Sequence, residues 1–117
     1  MPARSFVSNT WMGGGGSMWS GAHVPSGSHY AVIGEFVFAD TSAATVDIYL
    51  PEDPSDCDIL PVRRVAGGLN LTIHGNGRLV EQFLSATNYS DSTIINTNGA
   101  TVHFVYNGFL KKWHLYK

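Results

Sequence analysis

Five histidines, nine acidic residues and one cysteine are the side chains in this 117-residue chain best suited to hold a metal or move a proton. His103 and His114 come closest to a constellation. With a two-residue turn at Asn107-Gly108, they share one hairpin face on neighbouring strands, roughly diagonal to each other. A metal needs a third and fourth ligand, which His74 or a symmetry-related copy could supply. Surface or interface imidazoles are the plainer reading, and it is preferred. His23 and His29 show no ligand spacing. Glu52, Asp53, Asp56 and Asp58 crowd into "PEDPSDCD" and could offer oxygens to Ca²⁺. Their spacing does not match the D-x-D-x-D-G loop, and two prolines stiffen it, so a solvated acidic loop is expected. Cys57 has no second cysteine to pair with and reads as a small buried or loop residue rather than a nucleophile.

Other chemistry is missing from the pattern. There is no G-x-S-x-G elbow and no H-E-x-x-H, and the glycine run lacks the Lys-Ser/Thr of a phosphate loop. Asn70 and Asn88 match glycosylation sequons, which matter only on a secretory route. No metal or cofactor is expected, and the chain reads as a non-enzyme. Net charge is −2, and the only adjacent basic pairs are Arg63-Arg64 and Lys111-Lys112. Neighbours in a strand point to opposite faces, so neither pair builds a basic face for nucleic acid. No apolar run of about 20 residues suits a membrane-spanning helix, and no signal peptide is visible, so folding in a cytoplasm is expected.

The elements that would position these residues are strands. From Tyr30 onward, short apolar runs alternate with turn chemistry, the rhythm of an all-β domain. Strands are expected over Tyr30–Phe38, in "ATVDIYL", in "DILPVRRV", in "LNLTIH", more weakly in "RLVEQFL" and "STIINT", and in the closing pair "ATVHFVY" and "FLKKWHLY". Val46, Ile48 and Leu50 share one face, and so do Leu69, Leu71 and Ile73. Pro61 marks an edge or a bulge. Asn107-Gly108 suits a type I′ hairpin, which pairs Tyr106 with Phe109 and sets Val102, Phe104, Tyr106, Phe109, Trp113 and Leu115 on one face. The expected architecture is an antiparallel β-sandwich, jelly-roll-like, over residues 29–117. Residues 1–28 form an extended Gly-rich N-terminal arm without regular period.

The order of elements from Tyr30 to the end resembles a module of tailed-bacteriophage virion proteins. The resemblance rests on "TVDIYLP" (Thr45 to Pro51), on "RRVAGGLNLTIHGNG" (Arg63 to Gly77) and on "GATVHFVYNGFLKKWHLYK" (Gly99 to Lys117). Asn107-Gly108 and Trp113 occupy the module's closing turn and tryptophan. The acidic proline loop and the segment Arg78 to Thr97 depart from the pattern. The resemblance implies a structural or attachment role in the virion, usually as a trimer, and supplies no catalytic residues.

The arm contains "WMGGGGSMW", with Trp11-Met12 and Met18-Trp19 on either side of four glycines and a serine. Charged residues are only 14 per cent of the chain, against roughly 25 per cent in ordinary soluble domains, so association with other chains is weakly opposed. Ordering a Gly-rich segment costs roughly 1–2 kcal/mol per residue, and each buried Trp or Met returns about 1.5–3 kcal/mol, so backbone pairing must contribute as well. The preferred reading is an assembly arm whose anchors Phe6, Trp11, Met12, Met18 and Trp19 lodge in a neighbouring subunit. An arm folded on its own domain, and a tail or linker scar, are the alternatives. The leading function is a capsid-decoration (cement) protein of the virion, made in the host cytoplasm, a homotrimer or other homo-oligomer that contacts major capsid or tail proteins. A tail-fibre or adaptor module binding a host glycan through aromatics such as Tyr49, Tyr89 and Tyr116 is the runner-up. A generic intracellular β-sandwich binding module is the third.

Overall fold

The computed structural model describes residues 19–117. Among these, all regular structure is strand, in two sheets. The first three pairs of strands are successive coils. β1 (Ser20–Val24) and β2 (Gly27–Tyr30) make the first coil, β3 (Glu35–Thr41) and β4 (Val46–Tyr49) the second, and β5 (Ile59–Gly67) and β6 (Leu71–His74) the third. Each coil gives one strand to each sheet. β1, β3 and β5 lie side by side in parallel, and so do β2, β4 and β6. The chain therefore stacks on itself much as a solenoid does. Beyond the third coil come β7 (Leu79–Gln82), β8 (Ser85–Ser90), β9 (Ser92–Ile94), β10 (Thr101–Asn107) and β11 (Lys112–Tyr116). The larger sheet runs β1-β3-β5-β10-β11-β7-β8 and the smaller β2-β4-β6-β9.

Alternation explains the strands. In β3, Val37, Ala39 and Thr41 are buried while Phe36, Phe38 and Asp40 face outward. Stacking brings like residues into columns: Val37, Val62 and Val102 lie level across β3, β5 and β10, all fully buried. Ile48 and Ile73 do the same in the smaller sheet. One hydrophobic core takes side chains from both sheets, with Trp113, Phe104, Leu50, Leu60 and Leu71 among its largest members. Each such side chain contributes roughly 1.5–3 kcal/mol. Among the described residues, that core runs from Val24 to Trp113.

Several expectations need correction. The sheets are mixed, not antiparallel: five of the nine strand pairings are parallel, four of them because consecutive coils return the chain in the same direction and the fifth between β7 and β11. The run Tyr30–Phe38 is two strands split by a turn, in which Gly34 takes φ +100° and the Glu35 carboxylate accepts the Val32 N–H at 3.0 Å. Residues 20–28, assigned from composition to the arm, form β1 and the start of β2. Pro61 sits in central strand β5. It is tolerated because the β3 ladder begins only at Val37–Val62, so no N–H is missed there. Leu69 lies ahead of β6 and is exposed.

The closing turn spans Gly108–Lys111 instead of two residues. The Asn107 carboxamide accepts the Phe109 and Leu110 N–H groups, both at 2.9 Å, and Lys111 takes φ +59°. Pairing becomes Tyr106–Trp113 and His103–Tyr116. The slip is even, so Val102, Phe104, Tyr106, Trp113 and Leu115 keep their common face, while Phe109 leaves it and is 91 % exposed. The acidic loop fastens this turn: Asp56 Oδ1 accepts the Gly108 N–H at 2.7 Å, and Cys57 N–H donates to the Tyr106 carbonyl at 2.8 Å.

Candidate functional site

The end of the stack formed by the first coil is the most distinctive surface. β1 is the terminal strand of the larger sheet and β2 of the smaller, so both sheets stop at the same place. Ser20 N–H bonds the Gly34 carbonyl at 2.9 Å, toward β3. Backbone groups alternate in direction along a strand, so Ser20, Ala22 and Val24 bond inward and Gly21 and His23 turn their N–H and C=O outward. In β2, Gly27 N–H bonds Thr45 and Ala31 N–H bonds Tyr49, which leaves Ser28 and Tyr30 turned outward. Among the described residues nothing pairs with either edge. An unpaired edge is a template for another strand.

Two aromatic rows end on this edge. On the outer face of the smaller sheet, Tyr30 stacks on Tyr49 at 4.6 Å and Tyr49 on His74 at 4.4 Å between ring centres. On the larger sheet, His23 stacks on Phe38 at 5.0 Å, and Phe38 on Phe36 at 4.7 Å. Parallel strands a single ladder apart hold such rings level. Among the described residues, Tyr30 and His23 are the terminal rings of these stacks, and Tyr30 is 64 % exposed. The turn after β2 adds exposed Val32 and Ile33, and Trp19 stands beside it through the Ser20–Gly34 bond. The corner is thus apolar, hydrogen-bond-hungry and joined directly to residues 1–18.

Histidine–carboxylate hydrogen bonds brace the coils from outside. His74 Nε2 meets Asp47 Oδ1 at 2.8 Å, and His29 Nε2 meets Glu35 Oε1 at 3.0 Å. At the far side of the larger sheet, burial works to raise the Glu81 carboxyl. The Leu115 and Thr87 N–H groups outweigh it, with His114 and Lys117 nearby, and hold the group below its ordinary value.

The residues singled out from sequence are scattered. Phe6, Trp11, Met12 and Met18 lie outside the described residues, whereas Trp19 stands at the entry to β1. Tyr49 is the middle ring of its row and shows solvent an edge. Tyr89 lies half-buried on the outer face of the larger sheet, opposite Glu81: its hydroxyl hydrogen-bonds His114 Nδ1 at 3.0 Å, and burial, with Glu81 and Tyr116 nearby, pushes its pKa up. Tyr116 is exposed opposite His103. His103 and His114 share a face diagonally, as the hairpin pattern suggests. Among the described residues, no group of three or more His, Cys, Asp or Glu side chains could hold a metal ion. Cys57 lies exposed in its loop. The adjacent arginines divide as strand geometry requires. Arg63 reaches the Gly99 carbonyl and Thr101 Oγ1, while Arg64 turns inward.

Sequence reasoning missed Gly21, His23 and Tyr30 as edge residues. The signal was faint: "SGAHV" alternates, but glycine and serine on every side hide it. A second surface, a groove of about 340 Å³ lined by Gln82, Leu84, Ser85, Ser92, Thr93 and Ile94, lies at the opposite end, along β9. No helix among the described residues is long and apolar enough to cross a membrane, a statement that does not bear on β-barrels. No protein-family model and no curated protein matches the chain.

Proposed function

We propose that this chain is a non-enzymatic structural subunit that attaches to neighbouring protein chains through its N-terminal end, as a capsid-decoration (cement) protein of a tailed-phage particle. The observation that carries the assembly reading is the doubly open first coil, continuous with residues 1–18 and rimmed by Tyr30, Val32 and Ile33. The phage setting is supported by the resemblance of the motifs between Tyr30 and Lys117. The mechanism is repeated burial of apolar surface across many copies, with residues 1–18 as the fastening and the coil stack as the outward body. A sandwich-like packing of the two sheets gives that body a stable core.

The test is the copy number and position of the chain in a purified particle, together with a truncation. The structure fixes where the cut belongs. Removing residues 1–28 would destroy β1, so the informative deletion is residues 1–18. Hundreds of copies on the head, and loss of particle binding on deletion, are the expected results. A handful of copies at the tail would move the protein to the fibre or adaptor reading, which has one observation of its own, the open ring face of Tyr30 as a stacking step for a sugar. Undiminished binding by the truncated chain would overturn the assembly role.

A further inference from the structure

We infer that the open edge of β1 is an acceptor for a strand from a second copy of this chain, and that the donor is the segment from Arg4 to Met12. The inference rests on the assembly reading and names its partner and its acceptor element.

The acceptor is defined by three features. First, Gly21 and His23 present outward backbone groups on a strand whose other side is already satisfied by β3. Second, the strand has a dry side and a wet side: Val24 is buried and Ala22 partly buried, while His23 stacks outward on Phe38 with its other face toward the edge. Third, β2 ends at the same level with Tyr30, so an incoming chain meets a ring on each sheet.

The donor follows from pattern and reach. As an added strand, "SFVSNTW" would set Phe6, Ser8 and Thr10 on one side and Val7, Asn9 and Trp11 on the other, so that each side offers a bulky apolar anchor among polar residues. Laid along β1, Val7 and Trp11 continue the Ala22–Val24 side, and Phe6 meets the outward face that carries His23. The glycines from Gly13 to Gly16 separate this segment from β1 of its own chain and impose no side-chain shape on the crossing. The seven residues from Gly13 to Trp19 tether the donor to β1 and span up to about 25 Å when extended, enough to carry it across to the edge of an adjoining copy. A net charge of −2 gives two copies little mutual repulsion. Donor and acceptor are different surfaces of one chain, so the contact is head-to-tail and closes as a ring or runs on as a row.

The experiment uses two full-length variants. Gly21→Pro removes the outward N–H while Ser20 and Ala22 keep their bonds to β3, and a Cβ at Gly21 meets only Phe38 ring carbons, the nearest at 3.5 Å. The double variant Phe6→Asp with Trp11→Asp spoils the donor and leaves every residue of the described core unchanged. Sedimentation velocity should show each variant alone self-associating at least tenfold more weakly than the parent chain. An equimolar mixture should form a one-to-one complex, because the donor of the first still fits the acceptor of the second. Matching urea transitions check that both remain folded. If Gly21→Pro does not fold, a synthetic peptide of residues 1–18 replaces it: it should bind the donor variant and slow hydrogen exchange at Gly21 and His23. A mixture that stays monomeric overturns the inference. Donor variants that still self-associate at parental strength overturn it too, by showing that edge meets edge. Either failure, accompanied by particle binding that still requires residues 1–18, leaves the assembly reading in place with a different partner.

Discussion

Replacing Arg64 with methionine should cost about 2–4 kcal/mol, while the same change at its neighbour Arg63 should cost under about 1 kcal/mol. The contrast comes from where strand alternation sends two identical side chains. Arg64 is 4 % exposed, and its guanidinium donates to three neutral acceptors: the Ile95 carbonyl at 2.7 Å, Asn98 Oδ1 at 2.8 Å and the Gly67 carbonyl at 3.0 Å. It ties the end of β5, at Gly67, to the loop between β9 and β10. Methionine fills much of the volume and donates nothing. The Gly67 carbonyl keeps the Asn98 amide at 2.9 Å, and Asn98, being exposed, can turn to water. The buried loss centres on the Ile95 carbonyl, worth about 1–3 kcal/mol unsatisfied, plus the weakened loop. Relief of burying a charge offsets part of this. Arg63 bonds Gly99 and Thr101 at the rim, where water substitutes readily. Urea unfolding followed by tryptophan emission measures both variants. Equal costs for the two, or a cost at Arg64 within error of zero, would falsify the claim that this arginine pins the third coil.

Further outcomes follow from the same geometry. Trp113→Ala should cost roughly 3–5 kcal/mol in the urea assay, because Trp113 is fully buried against Tyr106. The Glu81 carboxyl is held below 4.5 in the folded chain, so its contribution is present above that value and lost as pH falls through the lower folded value. Hydrogen exchange at Leu115 and Thr87, referenced to the intrinsic rate at each pH, should therefore show protection in the parent lost as pH falls through that lower folded value. Glu81→Gln should remove that pH dependence, and an unchanged acid limb in this variant would locate the effect elsewhere.

Much of the outer half of the fold was legible in the sequence. Val46, Ile48 and Leu50 alternate because they line the core, and they are all buried. The Trp113 face of the last hairpin survived a wrong turn assignment because the register slipped by an even number of residues. The coil stack was not legible. Its connections differ too much in length: Pro25-Ser26 joins β1 to β2, whereas residues 50–58 join β4 to β5, so no period shows. Parallel pairing leaves no hairpin signal of its own. The candidate site was harder still. Tyr49 was visible as an aromatic, but its partners Tyr30 and His74 become neighbours only when the coils stack. β1 was read as arm because an edge strand with one open side needs few apolar residues.

The most direct test of the central claim is the sedimentation behaviour of the full chain and of the chain lacking residues 1–18, over a concentration series that reaches the hundreds of micromolar. The account predicts that the full chain passes from monomer to larger species as concentration rises, while the truncated chain keeps its core and stays monomeric. A full chain that remains monomeric throughout, with the Gly21 and His23 amides already protected from exchange, would show the edge closed by the molecule's own residues and contradict it.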